Sequence, residues 1–226
     1  MKTLQKIPSL FPSALVNYPF TDDRFQKEWE LNELCLGPVA GVDEAGRGPL
    51  AGPVTAAAVI LNPDDLNWSL RDSKKVPAGE RDQLKQWVMD HARSWAIGWA
   101  SVEEIDRFNI LQATFLAMRR ALDQLTIRPK SILVDGKLKI AGVTGSSPVV
   151  SGDSVCLSIS AASILAKTAR DGYMQTLHDQ FPGYHFQSNA GYATANHIRA
   201  IYEHGLTPHH RRSFRIPSHP DHRDQS

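Results

Sequence analysis

The stretch GVDEAGRGPLAGPV, residues 41–54, sets two adjacent carboxylates, Asp43 and Glu44, between a short apolar run and a glycine-rich segment containing Arg47. Two further aspartates occupy comparable places: Asp135 follows SILV and precedes Gly136, and Asp153 follows PVVSG. Strand ends on one edge of a sheet converge in space while far apart in sequence, and open α/β sheets bind ligands at such edges. Carboxylates gathered there repel one another: two like charges about 4 Å apart cost roughly 4 kcal/mol at an effective dielectric near 20. A divalent cation removes that cost, and hard oxygen donors without His or Cys suit Mg²⁺ or Mn²⁺. Each aspartate taken singly also fits a helix N-cap or a turn. The adjacent pair is harder to explain that way. In an extended strand Asp43 and Glu44 point to opposite faces, so a shared cation requires a bend or twist there.

Cations stand near these carboxylates. Gly46, Arg47 and Gly48 offer backbone that can approach a ligand closely and a guanidinium suited to phosphate, although a plain tight turn also fits. DSKK at 72–75 places Lys74 and Lys75 beside a turn, as a phosphate contact or as a solvated pair. SAASILAKTARD at 160–171 reads as a helix small enough on one side to press against a sheet, with Lys167 and Arg170 in its C-terminal half. Packing alone would account for its Ser and Ala residues.

The elements that must carry these residues follow from the hydropathy pattern. VAGVDE and VTAAAVIL read as two strands joined by the glycine-rich turn. PAGERDQLKQWVMDHAR has helical spacing through Leu84, Trp87, Val88 and His91, and SWAIGWAS is a third strand. Leu111, Phe115, Met118, Leu122 and Leu125 lie along one face of an amphipathic helix, which Pro129 ends. SILVDG and SPVVSGD give the fourth and fifth strands. A long helix from Ile159 to about Leu177 and another near Ala193–His204 complete the pattern. A hairpin-like set of strands followed by alternating helices and strands predicts a mixed sheet covered by helices, α/β in class.

The 226 residues suffice for one generous domain. Twenty-five Lys and Arg balance 24 Asp and Glu, so nucleic-acid binding, if present, comes from local placement rather than bulk charge. Two cysteines, Cys35 and Cys156, give no disulfide framework and suit a reducing compartment. The N-terminal segment is interrupted by Pro8, Pro12 and Asn17 and has no signal-peptide core, and no window reaches 18 consecutive apolar residues. The expectation is a cytoplasmic, single-domain monomer with no membrane segment. Residues 1–37 read as an extension, 38–215 as the main domain and 216–226 as a flexible tail.

Taken in order, GVDEAGRGPLAGPV, DSKK, the LVDG strand end, GDS followed by ISAASILAK-ARD, the GY-T-H element at 191–197 and HHRRSF at 209–214 closely resemble the type 2 ribonucleases H, ribonuclease HII of bacteria. The resemblance covers about residues 38–215. It implies a ribonuclease H-like fold, a five-stranded mixed sheet flanked by helices, with Asp43, Glu44, Asp135 and Asp153 as catalytic metal ligands for Mn²⁺ or Mg²⁺. It further implies cleavage of the RNA strand of RNA–DNA hybrids and nicking 5′ to single ribonucleotides in duplex DNA, the entry to ribonucleotide excision repair. Gly46, Arg47 and Gly48 would then reach the 2′-hydroxyl, and Tyr192 would pack on the next sugar. Lys74, Lys75, Lys167 and Arg170 would neighbour phosphates. The chain departs from many relatives in carrying Ser151 before Gly152-Asp153, and Asn189-Ala190-Gly191-Tyr192-Ala193-Thr194 where they read H-K-G-Y-P-T. Arg128, Lys130 and the basic 209–215 segment are the cations left to compensate. Two other classes stay open: a binding module that has lost turnover, and a carboxylate-sheet enzyme acting on DNA.

Overall fold

The computed structural model describes residues 37–67, 69–70 and 77–222. Lys74, Lys75 and nearly all of the expected 1–37 extension lie outside the described residues. Five strands form one sheet: β1 (Val39–Ala45), β2 (Val54–Ile60), β3 (Ser94–Ala100), β4 (Ser131–Asp135) and β5 (Ser146–Val149). The helices are α1 (Ala78–His91), α2 (Val102–Asp123), α3 (Gly152–Val155), α4 (Leu157–Gln180), α5 (Phe186–Asn189) and α6 (Ala195–His204).

The strand order is β3-β2-β1-β4-β5. The central strand, β1, pairs antiparallel with β2 and parallel with β4. In that parallel pair Val42 stands opposite Val134, so the residues that follow, Asp43 and Asp135, come side by side at the same end of the sheet while each stays paired with its other neighbour. This is the convergence that the strand-end pattern predicts.

Two helices sandwich the sheet. α2 covers one face, where Ile105, Phe115, Met118 and Ala121 share a core with Val42, Ala56 and Val134. α4 covers the other with a row of buried small residues, Ser158, Ala161, Ala162 and Ser163. The approach of α4 to β1 is so close that a Cβ at Gly41 would run into the backbone of Ser158. Glycine is required there for contact rather than for torsion. Every residue of β2 is buried, because helices lie on both its faces.

Three expectations need correction. Asp153 is not at a strand end: β5 stops at Val149, Ser151 takes a left-handed conformation (φ 54°), and Asp153 falls in the first turn of α3. The second helix starts earlier than its apolar periodicity, because Ser101 and Glu104 form a capping box. The helical path is interrupted at Asn109 (φ 67°), whose side chain then caps the apolar turn by accepting from Leu111 N and Gln112 N. Residues 216–222 are no loose tail. They fold back on α6, where Arg199 pairs with Asp221 at 2.9 Å and the His219 ring meets Tyr202 edge-on. Among the described residues no helix is long and apolar enough to cross a membrane.

Candidate active site

At the shared edge of β1 and β4 a cleft of about 310 Å³ is lined by Asp43, Glu44, Gly46, Arg47, Gly48, Asp135, Ser163, Lys167, Arg170, Asp171 and Tyr192, among others. Asp43 points toward α4 and is 5% exposed. Its carboxylate accepts from the Glu44 N–H at 2.7 Å and from the Ser163 hydroxyl. Burial, and then the charge of Glu44, push the Asp43 carboxyl well above the usual range; the two hydrogen bonds offset this only in part, and Asp135 adds to it. Burial raises Glu44 as well, against the pull of Arg47 at 3.1 Å and with a further push from Asp135. Glu44 and Asp135 also line a second cleft, of about 320 Å³, toward Leu111, Phe115 and Met118 of α2. The strand pleat thus sends Asp43 to one face, as expected, while Glu44 stands on the ridge between the two clefts.

The loop at residues 46–53 is shaped from beneath by two buried arginines. Arg211, 2% exposed, donates from Nε to Gly52 O (2.9 Å), from Nη1 to Arg47 O (2.9 Å) and from Nη2 to Gly46 O (2.5 Å) and Pro53 O (3.2 Å). Arg170, 3% exposed, donates to Pro53 O and Ala51 O at 3.2 and 3.1 Å. Arg211 N takes Leu50 O. Six carbonyls of the loop therefore face inward. Gly46 lies directly on Arg170 with φ 90°, a position where any Cβ would strike the guanidinium. Among the described residues neither arginine has a carboxylate at ion-pair distance. Burial and the neighbouring Arg170 charge bring Arg211 down to about 9, and burial lowers Arg170.

Tyr192 forms the far wall, 49% exposed, with its ring against Gly48. Its backbone is tied on all sides: Tyr192 N–H donates to Asn189 O, and Tyr192 O accepts from Thr194 N, both at 2.8 Å. His197 Nδ1 also lies 2.8 Å from Tyr192 O. Asn189 is buried, with its amide donating to Tyr184 O and its Oδ1 accepting from Gly191 N.

The model of the family "Ribonuclease HII" matches residues 40–216. The ribonuclease HII of Paracoccus denitrificans is 55% identical over 193 residues, 83% of this chain and 91% of its own length. The chain belongs to the ribonuclease HII family. In fold it is similar to the crystal structure of ribonuclease H2 from Pyrococcus horikoshii OT3, with a TM-score of 0.67 and 24% identity over 79% of this chain and 94% of that one. It is also similar in fold to Bst-RNase HIII, solved in complex with Mn²⁺, with a TM-score of 0.60 and 19% identity over 74% and 63% of the two chains. As a member of the ribonuclease HII family the chain is a metal-dependent endoribonuclease.

The residues expected to act in a ribonuclease HII do not all meet. Asp43, Glu44, Asp135, Gly46, Arg47, Gly48, Lys167, Arg170 and Tyr192 line the one cleft. Asp153 is buried beside it and does not line it; the neighbouring Gly152 N–H donates to Asp135 Oδ1 at 2.7 Å. Lys167 is paired with Asp171 at 3.1 Å. Arg170, expected beside a phosphate, instead turns its donors inward to the loop. Among the described residues no three acidic, His or Cys side chains close around one point tightly enough to form a ready metal cage. The donor set nevertheless fits a hard cation: oxygen ligands only, mutually repelling, with open space for water and phosphate oxygens.

Sequence reading missed Arg211, His197, His210 and the structural use of Asn189. The signals were present in HHRRSF and GY-T-H, but a letter does not tell an inward arginine from an outward one. Asn189, read as a lost surface cation, holds the turn that carries Tyr192.

Proposed function

We propose that the chain cleaves the RNA strand of RNA–DNA hybrids and nicks 5′ to a single ribonucleotide embedded in duplex DNA, leaving 3′-hydroxyl and 5′-phosphate ends. One observation carries this reading: one cleft is lined together by carboxylates, by glycine-rich backbone and by a half-exposed tyrosine whose ring stands against Gly48. A polyanion and a sugar can lie across it together.

Asp43, Glu44, Asp135 and Asp153 are the residues that would hold two divalent cations, Mg²⁺ or Mn²⁺; bound there, such ions activate water and neutralise charge on the leaving 3′ oxygen. The rest falls to the chain itself. Backbone at Gly46-Arg47-Gly48, stiffened from below by Arg211 and Arg170, meets the 2′-hydroxyl, which both donates and accepts and so marks ribose. Arg47, half exposed and paired with Glu44, exchanges that carboxylate for a phosphate on binding. Lys167 lies on the phosphate path, and Lys74 and Lys75 remain candidates for it. Tyr192 packs on the following sugar, where a deoxyribose fits and a ribose crowds, giving a preference for RNA-to-DNA junctions.

The test is a labelled DNA duplex carrying one ribonucleotide, incubated with Mg²⁺, Mn²⁺ or EDTA beside the matching all-DNA duplex. The expected result is a single metal-dependent nick 5′ to the ribonucleotide and an intact control. Cutting of the control would move the chain to the DNA-acting class. Tight binding without a nick under either metal would make it a binding module.

A further inference from the structure

Behind Tyr192 lies a chain of hydrogen bonds whose proton positions can be read one from the next. Thr207 N–H points at His210 Nδ1 from 3.0 Å, and the Thr207 hydroxyl, which can turn to donate, lies 2.9 Å from the same nitrogen. A backbone amide can only donate, so this Nδ1 accepts, and a neutral His210 carries its proton on Nε2. His210 Nε2 is 3.1 Å from His197 Nε2, so His210 donates and His197 accepts. His197 then carries its proton on Nδ1, which faces Tyr192 O at 2.8 Å. The chain thus runs from Thr207 through two neutral imidazoles to the carbonyl of Tyr192. A second proton on His210 would set N–H against the Thr207 N–H, and one on His197 would set N–H against N–H between the rings.

The surroundings enforce neutrality. Both histidines are buried against the stacked rings of Tyr184 and Phe186, which they meet edge-on or tilted at centroid distances of 5.1–6.4 Å. Phenylalanine would fill the same space without burying polar nitrogens, which is costly unless each is bonded. Here each nitrogen is bonded, and the chain ends on the one residue of the cleft whose ring is held at its backbone and left open at its face. We infer that His197 and His210 are positioning residues: through an uncharged hydrogen-bond chain they set where the Tyr192 ring stands over the substrate. The inference rests on the reading of Tyr192 as the residue that packs on the sugar. Neither histidine touches substrate, and their effect is on junction preference rather than on phosphodiester chemistry.

Two substitutions at one position separate this role from packing. His197→Phe keeps an aromatic ring in the cage and removes the N–H. His197→Asn gives up the ring and keeps a side-chain N–H placed like Nδ1–H. The full-length, metal-loaded chain is assayed for kcat/KM on a single-ribonucleotide duplex and on a continuous RNA–DNA hybrid, with Tyr192→Ala as reference. His197→Phe is expected to lower the ratio of the two values about tenfold, as Tyr192→Ala does, and His197→Asn to hold it within about threefold. A ratio unchanged in His197→Phe, with only the melting temperature lowered, overturns the inference. A substrate-free readout separates it from the sugar-packing reading: with 3-fluorotyrosine incorporated, the ¹⁹F resonance of Tyr192 is expected to shift and narrow in His197→Phe as the ring gains freedom. An unmoved resonance overturns the positioning role whatever the kinetics. A moved resonance with Tyr192→Ala leaving the ratio unchanged keeps the positioning role and removes the sugar.

Discussion

Asp43→Asn is expected to abolish catalysis and, in the absence of metal, to stabilise the fold. Asp43 is buried and held next to two other carboxylates. At roughly 6 Å and an effective dielectric near 20, one like-charge neighbour costs about 3 kcal/mol. An asparagine keeps an oxygen to accept from the Glu44 N–H and loses only the charge assistance in that bond and in the Ser163 bond, together about 1 kcal/mol. The balance is a gain of about 2 kcal/mol, and for a domain of this size each kcal/mol moves the melting temperature by about 2–4 °C. The assay is thermal unfolding in EDTA near pH 7.5, with an expected rise of about 4–8 °C. The sign fixes its pH dependence. A carboxyl raised in the fold costs stability above its folded pKa and costs nothing below its unfolded one, so the advantage of asparagine disappears as pH falls toward 4. Adding Mg²⁺ or Mn²⁺ is expected to raise the wild-type melting temperature and leave the variant nearly unmoved. An Asp43→Asn chain less stable than wild type in EDTA at pH 7.5 would refute the picture of carboxylates held in repulsion.

Asp135→Asn keeps the oxygen that accepts from Gly152 N–H, so far-UV circular dichroism is expected to match wild type while turnover falls by orders of magnitude. Arg211→Met strands the carbonyls of Gly46, Arg47 and Gly52, while Pro53 O keeps Arg170; urea unfolding is expected to show a loss of about 3 kcal/mol or more, with Arg211→Lys recovering part of it. Burial and the neighbouring imidazole bring His210 from 6.5 down to about 4. A histidine depressed in the fold is neutral there and protonated when unfolded, so its share of stability is complete above pH 6.5 and is lost as pH falls to about 4. That share is at most about 3 kcal/mol. Denaturation of wild type and His210→Phe at pH 7 and pH 5 is expected to show a smaller acid loss in the variant.

The carboxylates of β1 and β4 were legible because strand periodicity is a local property and the parallel register then brings Asp43 and Asp135 to one edge. Asp153 was expected at a strand end and lies in a helix: nothing in VVSGD announces the left-handed turn at Ser151 that converts the strand end into a helix. The start of α2 was hidden because its first turn rests on a capping box, Ser101 with Glu104, rather than on apolar spacing. Arg170 was expected beside a phosphate and Arg211 only as part of the basic 209–215 segment, since burial of a cation depends on carbonyls more than a hundred residues away. The pairing of His197 with His210 has the same origin. Their contact depends on how α6 and the 207–210 turn fold together, and spacing along the chain carries no trace of it.

Arg211 stands 158–165 residues after the carbonyls it grips, at Gly46, Arg47, Gly52 and Pro53. During synthesis the strands and the first carboxylates leave the ribosome long before it does. Until Arg211 emerges, the oxygens of Gly46, Arg47 and Gly52 have no guanidinium to hold them, and Arg170 alone supports the loop from below. The order of synthesis therefore leaves this loop among the last parts of the domain to be completed. The loop beside the carboxylates is complete only once residue 211 has been added.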